Sequence, residues 1–396
     1  MTVVTYDIGL LQQSFAERFG DREGAVLFFA PGRVNLIGEH TDYNGGYVFP
    51  AALTFGTYAL VKPRTDGLYR FRSMQFSAEA DVRTANVRFR QEDDWANYPK
   101  GVLSELLQLE GGAHAHRLQG ADVLYDGNVP NGAGLSSSAS IELVTAIALA
   151  ALAGINLPMI DLVKLSQRAE NRFVGVNCGI MDQFAVGMGK EAHAVMLKCD
   201  TLEYQYVPFR IEGCKLIITN TNKRRGLADS KYNERRQQCE DGLKWIQEKL
   251  PGLSSLGELS LAEWERVQDA IPDPLIRSRA EHVVTEDDRV LKACSSLEQG
   301  DLAAFGELMK ASHVSLRDLY EVTGFELDTL FEEACAIEGC IGTRMTGAGF
   351  GGCTVSIVRD EAVEAFQRIV AERYTAKTGL TPSFYVCDIG DGARQL

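Results

Sequence analysis

The chain has 396 residues, of which 45% are hydrophobic and 24% are charged, a composition typical of a compact globular protein. Because a single hydrophobic core seldom grows beyond about 250–300 residues, this length predicts two domains. Forty Lys and Arg against 54 Asp and Glu give a net charge of −14. That excess of acid argues against a nucleic-acid partner.

No segment of the sequence indicates membrane insertion or export. The longest apolar stretch, residues 143–155, contains Thr145 and is shorter than the roughly 20 residues of a membrane-spanning helix. The first nine residues lack the basic and apolar regions of a secretion signal. Nine scattered cysteines form no CxxC pair, which is typical of reduced thiols. We therefore expect a cytoplasmic protein without a membrane partner.

The first half of the chain predicts short strands around two long helices. The predicted strands cover residues 25–30, 47–53, 56–61, 68–71 and 121–124. A helix predicted from Ser138 to Ala153 is apolar nearly all round and is followed by Gly154, so we expect it to be buried. The second predicted helix, residues 160–173, is amphipathic.

After about residue 205 the sequence becomes more charged, and we predict domains at residues 1–205 and 206–396. The second half predicts three strands and four helices: strands at 215–220, 354–358 and 383–388, and helices at 229–250, 276–297, 302–312 and 362–375. Strands and helices do not alternate as regular βαβ units. The predicted fold class is therefore α+β rather than doubly wound α/β.

The first of three glycine-rich clusters, APGRVNLIGEHTDYNGG at residues 30–46, is dense in polar side chains. Arg33, Glu39, His40 and Asp42 fall within ten residues. Converging donors and acceptors suit a polyhydroxyl ligand, whose hydroxyls must be paired when buried. A solvated surface loop is the alternative. Metal binding by His40 is less favoured, because no second His or Cys lies at ligand spacing.

The second cluster, PNGAGLSSSA at residues 130–139, opens the long apolar helix. Its glycines let backbone N–H groups approach an anion, and the helix N-terminus adds partial positive charge. This combination favours a phosphate site, although a serine N-cap after a tight turn is an equal alternative on this cluster alone. No Walker A sequence occurs in the chain.

The third cluster, GTRMTGAGFGG at residues 342–352, contains a formal GxGxxG at Gly347, Gly349 and Gly352. A dinucleotide loop would open a helix, whereas the following CTVSIVR reads as a strand. A dinucleotide oxidoreductase is therefore disfavoured. The remaining interpretations are a loop that closes over a ligand and a hairpin turn.

Together and in this order, the clusters resemble the three signature motifs of the GHMP small-molecule kinases. The first cluster is similar to the galactokinase signature, and so are the segments at residues 170–183, 230–236 and 279–286. The resemblance implies two domains, the N-terminal one like ribosomal protein S5 domain 2 and the C-terminal one ferredoxin-like. The active site is then expected in the cleft between them.

The resemblance also implies a reaction: transfer of the γ-phosphoryl group from Mg-ATP to the anomeric hydroxyl of α-D-galactose, giving galactose 1-phosphate and ADP. Asp182 would be the general base and Arg33 would stabilise the transition state. The implied sugar contacts are Glu39, His40, Thr41, Asp42, Asp182 and Tyr232. Ser138 and Glu170 would hold Mg²⁺. The implied nucleotide contacts are Ser73, on the adenine side, and the phosphate loop Gly132, Ala133, Gly134, Leu135, Ser136, Ser137 and Ser138.

General chemistry agrees with these roles, because phosphoryl transfer needs in-line positioning and neutralisation of the equatorial oxygens. Judged alone, Asp182 is more often a loop or cap residue, Glu170 an exposed helix charge, and Tyr232 a packing residue. Two alternatives stay open: a kinase for N-acetylgalactosamine or a related sugar, and a sugar-binding regulator without catalysis. The Ser138-Ala139 pair, Asp182 and Arg33 are all present, which disfavours the regulator. We expect a monomer.

Overall fold

The structure, a computed structural model, describes residues 6–129, 134–223 and 228–396. The described residues contain three β-sheets and several helices. The strands are β1 Val26–Asn35, β2 Tyr47–Val48, β3 Pro50–Pro63, β4 Leu68–Ser73, β5 Ala80–Arg83, β6 Gly120–Gly127, β7 His193–Lys198, β8 Tyr204–Pro208, β9 Cys214–Asn220, β10 Cys340–Thr346, β11 Cys353–Arg359, β12 Ser383–Cys387 and β13 Arg394–Gln395.

Two π-helical turns, Ala169–Val174 and Leu316–Tyr320, follow two of the α-helices directly. The α-helices are α1 Ile8–Phe19, α2 Asn97–Leu107, α3 Ser137–Leu152, α4 Met159–Arg168, α5 Met181–Met188, α6 Ala228–Gln247, α7 Leu261–Val267, α8 Pro274–Glu298, α9 Leu302–Ser315, α10 Phe325–Cys335 and α11 Val363–Thr378. None of those described has the length and hydropathy that a bilayer-spanning helix requires.

A six-stranded sheet, in the order β13-β1-β3-β6-β4-β5, organises the first half of the chain. Only β4 and β6 run parallel among its paired strands. Helix α3 packs against β1 and β3. It is buried along most of its length, as its apolar sequence predicts, because both the sheet and neighbouring helices cover it.

The second half contains a four-stranded antiparallel sheet in the order β10-β11-β9-β12. Helices α9 and α10 pack on this sheet, α11 packs on α10, and α8 packs on α9. Helix α8 begins where its sequence supplies two start signals, since the Asp273 carboxylate accepts from the Leu275 N–H at 2.8 Å and Pro274 is the first helical residue. The fold class is α+β, as predicted.

One hydrophobic cluster belongs to both halves of the chain. Leu36, Ile37 and Phe49 from the first half are buried together with Val290 and Phe305 from the second. The third sheet, β2-β7-β8, lies beside this cluster and includes residues 204–208. The predicted division after residue 205 therefore falls inside a strand, and β13 returns to pair with β1. The domain boundaries stay a prediction.

Most predicted elements exist, with three differences. The predicted strands at 47–53 and 56–61 correspond to short β2 and to β3, which runs unbroken from Pro50 to Pro63. The helix predicted at 160–173 is α-helical only to Arg168 and continues as a π-helical turn. Several elements were not predicted, and these are α1, α2, α5, α7, α10, β5, β7, β8, β10 and β13.

Candidate active site

Arg33 and Asp182 form an ion pair at the centre of the site. Arg33 lies near the end of β1, after a bulge between Pro31 and Arg33, and Asp182 lies in the first turn of α5. Arg33 Nη2 and Nε lie 2.7 and 3.0 Å from Asp182 Oδ1. The Arg33 side chain is 5% exposed and that of Asp182 is 28% exposed. The carboxylate therefore stays accessible while its partner is buried.

The second cluster meets this ion pair at the N-terminus of α3. Arg33 Nη1 donates to the Gly134 carbonyl at 2.6 Å, and the Arg33 N–H donates to the Leu135 carbonyl at 3.1 Å. Ser136, the N-cap residue in a left-handed conformation, donates its hydroxyl hydrogen bond to Asp182 Oδ2. Two residues assigned to the phosphate loop, Gly132 and Ala133, lie outside the described residues.

Ser138 and Glu170, the two residues predicted to hold Mg²⁺, are in contact. The Ser138 hydroxyl hydrogen-bonds the Glu170 carboxylate, whose Oε2 also accepts from Gln183 Nε2 at 2.6 Å. Gln183 Nε2 reaches Glu142 Oε2 at 3.1 Å as well. Burial, together with the charge of Asp182, raises the pKa of Glu170 to about 7.

This oxygen pair fits Mg²⁺ bound to a nucleotide. The described residues contain no group of three or more His, Cys, Asp or Glu that could hold a metal ion. Mg²⁺ commonly takes only one or two protein ligands and completes its octahedron with phosphate oxygens and water. The hydroxyl of Ser138 and the carboxylate of Glu170, beside the start of α3, meet that requirement. Two further oxygens nearby, Glu142 Oε1 and Gln183 Oε1, are buried without a hydrogen-bond partner.

A cavity of about 280 Å³ opens next to Ser137 and Ser138. Ser73 lines the same cavity, as do the aromatic residues Trp95 and Tyr98. Its apolar walls beside a polar helix N-terminus suit a flat base attached to phosphates. Ser73 thus lies at the same cavity as the start of α3.

The motif-1 loop, which we define as residues 36–47, carries most of the predicted sugar contacts. Glu39 is buried, and its Oε1 accepts from the Gly347 N–H at 2.7 Å and from Arg344 Nη1 at 3.4 Å. The Thr41 hydroxyl contacts the Gly38 and Tyr47 carbonyls at 2.9 and 2.6 Å, so it braces the loop from inside.

Asp42 lies close enough to Asp182 for the two charges to repel. Burial, followed by that repulsion, raises the pKa of Asp42 to about 7. A carboxyl group that carries a proton near neutral pH can donate as well as accept a hydrogen bond, which suits a polyhydroxyl ligand. Asp42 also lines a cavity of about 370 Å³ with Asn171, Cys178 and Arg236.

His40 belongs to an aromatic cluster that also contains Tyr43, Tyr232 and Tyr320. The His40 ring centroid is 5.7 Å from that of Tyr232 and 4.9 Å from that of Tyr320. His40 Nδ1 and the Tyr43 hydroxyl are 2.8 Å apart, and the same hydroxyl is 2.8 Å from that of Tyr320. Burial lowers the pKa of His40 to about 3, so the imidazole is neutral at physiological pH.

The third cluster is the hairpin loop between β10 and β11, whose Thr346 and Cys353 are paired. This geometry confirms that the GxGxxG pattern is not a dinucleotide loop. Gly347 has φ +87, and a Cβ there would lie 2.9 Å from the Gly134 carbonyl oxygen. Since its N–H binds Glu39, the hairpin joins the other two clusters.

Three family models match the chain. The galactokinase galactose-binding signature matches residues 13–63, the GHMP kinases N terminal domain residues 97–190, and the GHMP kinases C terminal domain residues 293–376. The galactokinase of Halalkalibacterium halodurans is 56% identical over 394 residues, covering 99% of this chain and 98% of that protein. This chain belongs to the galactokinase family.

Two further galactokinases support this assignment. That of Bacillus subtilis is 52% identical over 388 residues, with 98% of each chain covered. A crystal structure of Lactococcus lactis galactokinase complexed with galactose matches with a TM-score of 0.94 and 44% identity, covering 99% of this chain and all of that one. The chain is thus an ATP-dependent sugar kinase with the GHMP kinase fold.

Several residues of this galactokinase-family site were not singled out from the sequence. Trp95 and Tyr98 lie in a segment that matches none of the three clusters, and no pattern marks them. Gln183 does fall within the galactokinase-like segment 170–183, although its bridge to Glu142 and Glu170 depends on tertiary packing. Tyr43 lies inside the first cluster, but the partner of its hydroxyl, Tyr320, is distant in sequence, so no local pattern indicates the contact.

Proposed function

We propose that this protein transfers the γ-phosphoryl group of ATP to the anomeric hydroxyl of α-D-galactose, giving α-D-galactose 1-phosphate and ADP, as the first committed step of galactose use. The observation that carries the proposal is the Arg33 guanidinium, which binds the Asp182 carboxylate on one side and the Gly134 carbonyl on the other. It therefore stands between the group that would receive the proton and the loop that would hold the phosphates. The galactose bound to the L. lactis relative supports the choice of sugar.

In the proposed reaction, the anomeric oxygen forms a bond to the γ-phosphorus while the bond to the β,γ-bridging oxygen breaks. The hydroxyl proton passes to Asp182, and the leaving oxygen departs with ADP. A carboxylate is a far weaker base than an alkoxide, so the proton moves late and much of the contribution of Asp182 is to orient the hydroxyl. Asp182 Oδ1 already contacts two nitrogens of Arg33, whereas Oδ2 accepts one hydrogen bond, from Ser136, and keeps a second lone pair for the sugar hydroxyl.

Arg33 would neutralise charge that spreads over the transferred phosphoryl oxygens. Its side chain is buried and is held by Asp182 and Gly134, so little reorganisation is needed during the reaction. The N-terminus of α3 contributes unpaired N–H groups and partial positive charge beside it.

Ser138 and Glu170 would hold the metal on the other side of the same helix N-terminus. Mg²⁺, when bound, would neutralise phosphate charge and fix the orientation of the phosphates. Glu39, His40, Thr41, Asp42 and Tyr232 are proposed as the remaining sugar contacts or their supports. Ser73 is proposed to face the adenine, and the loop from Gly132 to Ser138 the phosphates.

Two broader properties are also proposals. The nine scattered cysteines, which form no CxxC pair, favour the reducing environment of the cytoplasm. We further propose that the enzyme acts as a monomer, because the residues assigned to sugar, nucleotide and metal all come from one chain.

A sugar panel with coupled detection of ADP tests the proposed function. Galactose should support ATP-dependent ADP release, whereas glucose and N-acetylgalactosamine should support much less. Turnover with N-acetylgalactosamine but not with galactose would favour the related sugar-1-kinase. Galactose binding without ADP release would favour the non-catalytic regulator.

A further inference from the structure

Helix α8, in the second half of the chain, contacts the backbone of the motif-1 loop at three places. His282 Nε2 donates to the Glu39 carbonyl at 3.1 Å. Glu286 Oε1 accepts from the Gly38 N–H at 3.0 Å, and Asp287 Oδ1 accepts from the Tyr47 N–H at 2.7 Å. The three helix residues are spaced i, i+4 and i+5, so they lie on one face.

These side chains are themselves fixed. His282 Nδ1 lies 2.8 Å from the Ser315 hydroxyl, and Glu286 binds Arg289 at 2.6 Å and the Ser312 hydroxyl. His282 and Glu286 are fully buried. A buried acceptor with its own supports holds a backbone N–H in one geometry, and leaving such a group unpaired is costly.

The loop is shaped to receive this helix. Gly46 lies against Asp287, and a Cβ at Gly46 would lie 2.8 Å from Asp287 Oδ2. That carboxylate oxygen is buried without a hydrogen-bond partner. The Thr41 hydroxyl and the Gly46 N–H close the loop on itself, but the N–H groups of Gly38 and Tyr47 are satisfied by α8. Both ends of the loop therefore depend on the helix.

We infer that His282, Glu286 and Asp287 of α8 are positioning residues that hold the motif-1 loop in the conformation that binds the sugar. The inference rests on the proposed function. None of the three side chains is assigned to touch a substrate. Their effect is expected on galactose affinity rather than on nucleotide affinity, because the nucleotide cavity is lined by residues 57–141.

Asp287 allows the sharpest test. Asp287→Ala removes the acceptor for the Tyr47 N–H without adding bulk beside Gly46, whereas Asp287→Asn keeps an oxygen in the same place. Val283→Ala is the matched control, since Val283 is buried on the same helix in a cluster that contains no residue of the motif-1 loop. Titration calorimetry measures galactose binding without ATP, and steady-state kinetics give KM for both substrates.

We expect Asp287→Ala to weaken galactose binding by about tenfold or more, the effect of one lost buried hydrogen bond. KM for galactose should rise in parallel, while KM for ATP stays within about twofold. Asp287→Asn should bind galactose nearly as the wild type does. Val283→Ala should lower the melting temperature and leave galactose affinity unchanged.

The inference is overturned if Asp287→Ala binds galactose as tightly as the wild type, or if Val283→Ala weakens binding to the same extent. A wild type that binds no galactose would contradict the proposed function itself, and the inference with it. Amide hydrogen exchange on the wild type needs no variant. The Gly38 and Tyr47 amides should exchange slowly, and exchange at the rate of free surface amides would also overturn the inference.

Discussion

Asp182 and Arg33 lie 149 positions apart in the sequence and form one ion pair in space. Neither residue, taken alone, indicates a catalytic role. What distinguishes this ion pair from others on the molecule is its place, since Ser136 and Gly134 of the second cluster bind the same two side chains. The proposed chemistry therefore depends on three elements meeting: the end of β1, the start of α3 and the start of α5.

The first prediction concerns the base. Asp182→Asn should lower kcat by about 10²–10⁴-fold, because the amide cannot take the hydroxyl proton. The melting temperature should also fall, because the buried Arg33 guanidinium loses its counter-charge, so kcat is compared at a temperature at which both proteins are folded. Steady-state kinetics with galactose and ATP provide the measurement.

Asp81→Asn is the control for Asp182→Asn. Asp81 pairs with Arg72 at 2.7 Å, the distance of the Arg33–Asp182 pair, but at an exposed position of β5. It should retain wild-type kcat. Full turnover by Asp182→Asn would remove Asp182 from the role of base while leaving the kinase assignment intact.

The second prediction concerns the metal. Glu170→Gln should raise the Mg²⁺ concentration for half-maximal rate by about tenfold or more, because a neutral amide is a poorer ligand for a hard cation. Galactose binding measured by calorimetry without metal should stay as in the wild type. Glu105→Gln, which alters a neighbouring carboxylate paired with Arg168 at 2.8 Å, is the control. An unchanged Mg²⁺ requirement in Glu170→Gln would exclude Glu170 as a ligand.

At the scale of elements, α3 and α8 contribute to the proposed site from different halves of the chain. The N-terminus of helix α3 is the proposed phosphate site, and the apolar residues along the helix are buried in the fold. Helix α8 supports the motif-1 loop through backbone hydrogen bonds. A change at His282, Glu286 or Asp287 of α8 should therefore affect sugar binding, while a change at the start of α3 should affect nucleotide binding.

The third prediction concerns the buried carboxyl group of Asp287 on α8. Burial raises the pKa of Asp287 to about 8, against about 4 for an unfolded aspartate. The folded state holds this proton more tightly. The contribution of this bound proton to the stability of the fold is therefore complete below about pH 4 and is lost as the pH rises through about 8. Asp287→Asn carries no titrating proton, so it should gain free energy of unfolding relative to the wild type over that interval.

Denaturant unfolding at several pH values measures the difference between Asp287→Asn and the wild type. Relative to the wild type, the free energy of unfolding of Asp287→Asn should rise by more than about 1 kcal/mol from low to high pH. Asp269→Asn, at a side chain that is 90% exposed, is the control and should show no such trend. A difference between Asp287→Asn and the wild type that is constant with pH would show that Asp287 does not titrate in this way.

The sequence predicts the elements with strong periodicity and misses those that depend on tertiary contacts. Helix α3 was placed within one residue at each end, because its apolar run has no competing interpretation. Short α5, which carries Asp182, was missed because eight residues give little periodic signal. The sequence of the third cluster is compatible with a ligand loop and with a hairpin, and the β10–β11 pairing shows that it is a hairpin loop.

The candidate site was predicted largely through resemblance to known motifs. Residue chemistry alone gave a phosphate site and a polyol-binding loop. It could not give the Asp182 pairing with Arg33 or the Ser138 contact with Glu170, since each joins segments far apart in the chain. The role of Thr41 illustrates the same limit, because its hydroxyl turns inward to the loop backbone in the structure.

At the scale of the whole molecule, the two halves share a hydrophobic cluster and enclose the proposed sugar site between them. Residues of β1 and β3 pack with residues of α8, α9 and β11. A sugar held by the motif-1 loop therefore rests on contacts from both halves. Ligand binding should stabilise the molecule as a unit rather than one half alone.

The fourth prediction follows from that arrangement. Galactose at about 100 times its Kd should add about 2.7 kcal/mol to the free energy of unfolding, the mass-action value for one site. Denaturant unfolding without ATP measures this and should show a single shifted transition by fluorescence and by circular dichroism. Glucose at the same concentration is the control. Equal shifts with both sugars, or a shift in only one of two transitions, would contradict the prediction.

Phosphorus NMR of the reaction product tests whether this site places phosphate on the anomeric oxygen of galactose. Galactose, ATP and Mg²⁺ are incubated with the enzyme, and the coupling between phosphorus and the sugar protons is recorded. We predict that the new phosphorus signal couples to the anomeric proton and that ADP accumulates in equal amount. A phosphate coupled to any other position of the sugar, or inorganic phosphate as the only product, would contradict the claim.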